Sequence, residues 1–183
     1  MKKRTIFSFD ILRKPPPCVV LLLFLTSASF AATRYVSLSG SHTLPFISWE
    51  TAATNIQEAI DASEGGDTIL VTNGVYNTGG KVVRGALTNR VAVDKPITVQ
   101  SVNGPEETSI VGKGPGGDDA VRCVYVGSNA TLIGFTLTNG HTRDVFGGGD
   151  ECGGGGWLEV SAVASNCIFS GNNAREGGGV RGG

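Results

Sequence analysis

The 183-residue chain contains no Cys-x-x-Cys pair and no histidine spacing that could grip a metal, which argues against a zinc site. It also lacks a basic excess. Lys2, Lys3, Arg4, Arg13 and Lys14 all fall in the first 31 residues, together with Asp10. The rest carries 10 basic and 15 acidic residues, a net charge of −5 (10 − 15). Nucleic-acid backbones attract a basic stripe, so DNA and RNA are excluded as partners. The apolar run Val19 to Leu25 is too short to cross a bilayer. Strands are not separated by repeated helical patterns, so a doubly wound α/β fold is excluded. Of the two histidines, neither His42 nor His141 stands near a nucleophilic Ser or Cys, and both read as ordinary surface residues.

The first 31 residues read as a secretory signal peptide. The five cations form its basic region, Val19 to Leu25 its apolar core, and Ser29 and Ala31 the small residues of a cleavage site, with the mature chain starting near Ala32. Cys18 precedes the apolar core and is badly placed for lipidation. The domain reading is 1–31 signal peptide, 32–66 N-terminal strand and capping helix, and 67–183 stacked coils. The chain is expected to be secreted or held at the cell surface. Three cysteines remain after cleavage, Cys123, Cys152 and Cys167. Export would permit a disulfide, and an odd count leaves one over. Cys123 and Cys167 read as small buried residues, with Cys152, in a glycine loop, the more accessible.

Glycine is the residue present in excess, and 20 of the 28 lie from Gly112 onward. Short apolar runs interrupt it. Thr131-Leu-Ile-Gly-Phe-Thr-Leu-Thr-Asn-Gly140 and Ala164-Ser-Asn-Cys-Ile-Phe-Ser-Gly-Asn-Asn-Ala174 share one plan: an alternating run, an Asn-Gly or Gly-Asn-Asn close, then a glycine cluster. Such units cannot bury an apolar face alone but can stack. Upstream, short β-branched segments bounded by Gly, Pro, Asn or Asp run from Arg34 to Ser170. Ala52, Ala53, Ile56, Ala59 and Ile60 share one helical stripe, which predicts a single helix from about Trp49 to Ala62 with Ser48 as its N-cap. A lone helix ahead of many strands fits the cap of an open coil. The fold class expected is all-β, a parallel β-solenoid with an N-terminal capping helix; a β-sandwich is the alternative. Phe135 and Leu137, with their counterparts Cys167 and Phe169, are expected inside, and asparagines at strand ends to bond from coil to coil.

Ile56-Gln-Glu-Ala-Ile60, Gly66-Asp-Thr-Ile-Leu-Val71 and Gly74-Val-Tyr76 resemble the first coil of right-handed parallel β-helix proteins of the pectate-lyase-like superfamily. Asn166 to Ala174 with Gly177-Gly-Gly-Val180 is similar to repeats of exported bacterial β-helix proteins, including chlamydial polymorphic outer-membrane proteins. Phe169 to Asn172 fits their Phe-x-x-Asn motif, whereas Gly178-Gly-Val-Arg181 departs from Gly-Gly-Ala-Ile at two positions. The resemblance runs from about Tyr35 to the end and implies a fold, a right-handed β-helix, that hosts lyases, hydrolases and adhesins alike. No polar cap is visible at Val180 to Gly183, and the expectation is an N-terminal piece of a longer protein.

Candidate chemistry is sparse. Asp118-Asp119 is superficially like the paired aspartates of polygalacturonases. Neighbours on a strand point to opposite faces, however, and an acidic turn is the plainer reading. Arg122 reads as an outward strand residue. Asp144, Asp150 and Glu151 supply hard oxygens in a glycine-rich loop and would suit calcium, against the alternative of a plain insertion loop. Arg143 and Asp144 are candidate ligand contacts. Trp157 is offered as a sugar-stacking ring, with core or edge packing as the alternative. No catalytic residue is assigned. The expected function is a non-catalytic exported scaffold, adhesin-like or polysaccharide-binding, attached to the outer membrane through a later region. The alternative is the N-terminal part of a polysaccharide lyase or glycoside hydrolase whose active site lies beyond residue 183.

Overall fold

A computed structural model describes residues 30–145 and 148–182; the expected signal peptide, apart from its last two residues, lies outside them. The chain is an all-β solenoid of about 4 turns with one short helix. The elements in order are β1 (Thr33–Val36), α1 (Ile56–Asp61), β2 (Thr68–Val71), β3 (Gly74–Tyr76), β4 (Lys81–Val82), β5 (Thr88–Val93), β6 (Thr98–Ser101), β7 (Thr108–Val111), β8 (Val121–Val126), β9 (Thr131–Ile133), β10 (Thr136–Thr138), β11 (Gly156–Leu158), β12 (Val163–Ser165), β13 (Ile168–Ser170) and β14 (Val180–Gly182).

Three sheets form the walls. Sheet A has the order β1-β2-β6-β9-β12, sheet B β13-β10-β7-β3, and sheet C β14-β11-β8-β5-β4. Every pairing is parallel except the β4–β5 hairpin. From β2 onward each turn contributes one strand to each wall, with β4 added as a hairpin partner of β5, so equivalent residues stack in ladders. Ile69, Val99 and Leu132 stand in register in sheet A. Tyr76, Ile110, Leu137 and Phe169 do so in sheet B, and Val93, Val126 and Leu158 in sheet C. Most of these residues are buried in one continuous core, with Leu158 and Phe169 packed against it. Full burial of each such aliphatic side chain contributes about 1.5–3 kcal/mol. Phe135 and Leu137 are inside as expected, with Cys167 and Phe169 packed on them from the next turn. Gly155 is required here, because a Cβ on it would lie 2.3 Å from the Gly179 carbonyl oxygen and 2.9 Å from the Phe169 ring.

The helix is shorter than the apolar stripe predicts. Asn55, not Ser48, is its N-cap, and Asn55 accepts from the Glu58 amide. Ala53 is diverted into pairing with β1: its amide donates to Tyr35 and its carbonyl accepts from Ser37. A strand partner thus wins over helical propensity, and Ala52 and Ala53 owe their burial to it. Ser48 does accept from the Thr51 amide at 3.3 Å, closing a single turn. Trp49, where the helix was expected to begin, is 40% exposed and meets Tyr35 edge-on at 4.5 Å.

Candidate functional site

The three corners of the solenoid differ. Between sheets A and B the chain turns in as few as two residues, Gly134-Phe135 or Asn166-Cys167. Between C and A the turn is a repeated four-residue bend: Ala130 and Ala162 donate back to Gly127 and Glu159, and Asn129 and Ser161 both take a positive φ. The corner from B to C is different. Its connections in successive turns are 77–87, 112–120, 139–155 and 171–179. These loops stack on one another along one edge of the molecule and carry 11 of the 25 charged residues that follow residue 31.

Hydrogen bonds knit the loops together. Arg143, on the third loop, bonds Asp118 on the second, and its Nη1 lies 3.5 Å from Asp150. The Gly117 amide donates to Thr142. Asp150 Oδ2 accepts from the Ala86 amide on the first loop at 2.8 Å, and Gly85 must be glycine because a Cβ would lie 2.3 Å from Asp150. On the other side Gly153, Arg175 and Glu176 share backbone bonds between the third and fourth loops. Asn172 reaches across turns: its Oδ1 accepts from the Gly140 amide at 2.8 Å and its Nδ2 donates to the Leu137 carbonyl at 2.8 Å. A side-chain pair of asparagines also occurs at the A–B corner, Asn103 to Asn73 at 2.7 Å.

Arg122, expected as an outward strand residue, does not reach solvent. It is 3% exposed and roofed by the third loop. Its guanidinium donates to the carbonyls of Gly149, Cys152 and Gly153 and to Asn89 Oδ1, at 2.7–3.0 Å. Burial pulls its pKa down to about 10, opposed by the nearby charge of Asp150. A planar fork of donors suits such a nest of carbonyls, which a lysine could not fill. The sequence signal was the glycine run 153–156: backbone without side chains leaves carbonyls close enough to cage a cation.

Trp157 lies beside this nest. Arg84 and Arg122 stand 4.9 and 5.6 Å from its ring centre, and Gly149 packs on its edge. Glu159 Oε1 accepts from Trp157 Nε1, Tyr125 Oη and Arg84 Nη1, each at 3.1 Å. On the outer face of sheet C, Tyr125, Trp157 and Arg181 are in register, one per turn. The candidates Arg143 and Asp144 stand on the third loop, whose Gly149 packs against the ring of the third candidate, Trp157. Asp144 is exposed, with a carboxylate oxygen close to Gly116. Asp144, Asp150 and Glu151 are not gathered as a cation cage. Among the described residues no group of three or more His, Cys, Asp or Glu could hold a metal ion. Asp118 is 86% exposed on its turn.

The cysteines also differ from expectation. Cys152 is 5% exposed, its Sγ 3.6 Å from Glu176, whereas Cys167 is half-buried. The fourth loop covers Cys152, through a bridge to Glu176 that local composition does not reveal. All three are free, and burial pushes the Cys123 thiol up to about 12.

A second depression, of about 600 Å³, lies at the capped end between His42, Thr43, Leu44, Phe46, Glu58, Asp61 and Ala62. His42 crosses one side of it, bonded to Glu58 at 2.7 Å and to Thr54. Comparison with protein-family models, curated proteins and solved structures finds no match to this chain.

Proposed function

We propose that this chain is an exported, non-catalytic β-helix scaffold, adhesin-like and of the pectate-lyase-like type, that binds polysaccharide along its B–C corner. One observation carries the reading: long insertions recur at one corner in every turn, while the other two corners stay mostly tight. In solenoids, insertions collected on one face commonly build the binding face. The chemistry there suits a glycan. Trp157 offers a flat apolar ring, and the half-exposed Arg84, Glu176 and Arg181 offer hydrogen bonds to hydroxyls and carboxylates.

The test is binding of the exported protein to a panel of neutral and acidic polysaccharides. Trp157→Ala is expected to weaken retention by tenfold or more, and Thr131→Ala, on sheet A, to leave it unchanged. Binding that survives both Trp157→Ala and Arg84→Ala, or no retention on any polysaccharide, would sink the proposal.

A further inference from the structure

The point where the expected leader ends is gripped by a buried carboxylate. Asp67 is 2% exposed. Its Oδ1 accepts from the Ala32 amide at 2.8 Å, and its Oδ2 from the Glu64 amide at 2.9 Å and Arg34 Nε at 3.2 Å. The Ala32 carbonyl in turn accepts from Thr68 at 2.9 Å, so the chain is pinned at both groups of this residue. One residue earlier the situation reverses. Ala31 is exposed and Phe30 is 85% exposed. The 31–32 peptide bond therefore marks the step from solvent to a buried acid.

We propose that cleavage of this bond makes the Ala32 nitrogen an ammonium that ion-pairs with Asp67, a lock on the first strand created by processing. The proposal rests on the export reading. Hydrolysis adds one water across the bond: Ala31 leaves with the new carboxylate, and Ala32 keeps the amine, which takes up a proton. A donor already seated on Oδ1 then gains a positive charge without having to move. The site is suited to that charge. Burial alone would raise the Asp67 pKa, yet the amides of Glu64 and Ala32 and the charge of Arg34 hold it below the usual carboxylate range, so it stays ionised. Arg34 is tethered away from Ala32 by Nη1, which donates to the Pro45 carbonyl at 2.7 Å. Ala32 is only partly buried, so the other ammonium protons reach water.

The sign of the linkage follows. An amine whose pKa is raised in the folded state lends stability fully present below its unfolded value, about 8, and lost as pH rises through the folded value. The experiment uses the full chain expressed in a secreting bacterial host, with mass spectrometry of the exported N-terminus and an NMR titration of its α-amine. The exported chain is expected to begin at Ala32, with the amine titrating about one unit above the ordinary 7.7–8.0, a roughly tenfold tighter hold on the proton. Asp67→Asn is expected to restore the ordinary value; the wild-type titration stands by itself if that variant does not fold. An exported chain that starts elsewhere, or starts at Ala32 with an ordinary amine, overturns the ion pair and leaves export standing. A chain retained inside the cell from Met1 overturns export and the ion pair together.

Discussion

The A–B corner and the B–C corner are built from similar residues, glycine and asparagine, but the second asks more of them than the first. At the A–B corner Gly104, Gly134 and Asn166 take positive φ angles of 86°, 80° and 50° in successive turns. Each is a left-handed residue that lets the chain turn sharply and resume its register. At the B–C corner glycine turns the chain too, at Gly85 and Gly153 with φ of 58° and 64°, and in addition removes side chains so that backbones and ions can approach. Gly149 and Gly153 lend carbonyls to the Arg122 nest, and Gly85 leaves room for Asp150. The tight corner repeats because its geometry serves the ladders. The long corner varies from turn to turn because it is held by particular ion pairs and carbonyl bonds.

That contrast can be broken first in the core behind both corners. Leu137→Ala removes a fully buried side chain from the sheet B ladder and is expected to cost about 2–5 kcal/mol. Chemical denaturation should show one cooperative loss affecting both corners equally; a loss confined to one would refute a shared core. Arg122→Met strikes the long corner alone. It leaves three carbonyls without their donor, a loss on the order of 3 kcal/mol since bonds to a charged group are the strong ones. Hydrogen exchange should speed up across 143–153, with β2, β6 and β9 unchanged.

Alkaline pH tests the interior of the same corner. Burial raises the Cys123 thiol to about 12, from an ordinary thiol value of 9.0. The unfolded chain therefore loses its thiol proton first, and stability should fall as pH rises from 9 toward 12. Cys123→Ala should flatten that slope. Under native conditions Cys167, the only one of the three outside the buried class, should be alkylated before Cys123 and Cys152. The smallest effect is expected from Arg143→Ala. Its partner Asp118 is exposed, so solvent screens the pair and its loss costs little. A thermal melt should barely move, whereas polysaccharide binding, if the third loop presents the surface, should weaken.

The strands were legible because the alternation of apolar residues reports directly on which face is buried. Thr131 to Thr138 and Ala162 to Ser170 showed the same pattern in sequence, and their strands stack in register. The lone capping helix was legible in kind but not in length, because a pairing of Ala53 with a strand distant in sequence outweighed local propensity. The candidate surface was half legible. Charge and glycine density singled out the loop at 143–152, since such composition cannot form a wall of the core, and Trp157 stood out as an aromatic ring on a glycine-rich strand. The cover over Arg122 was not legible, because a strand pattern says which way a side chain points, not what later lies over it.

Sequence alone determined the repeating unit, the inward ladder and the positions where a turn must occur. Each follows from local rules: period-two alternation, β-branching, and the backbone freedom of glycine and asparagine. Tertiary structure decided which loops share an edge, that Asp150 serves a backbone two turns away, and that Asp67 and Ala32 meet. Those depend on the register between coils, in which residues some 30 positions apart become neighbours 4.7–4.9 Å apart. No local pattern encodes that register; it comes from stacking the ladders so that every coil buries its apolar face.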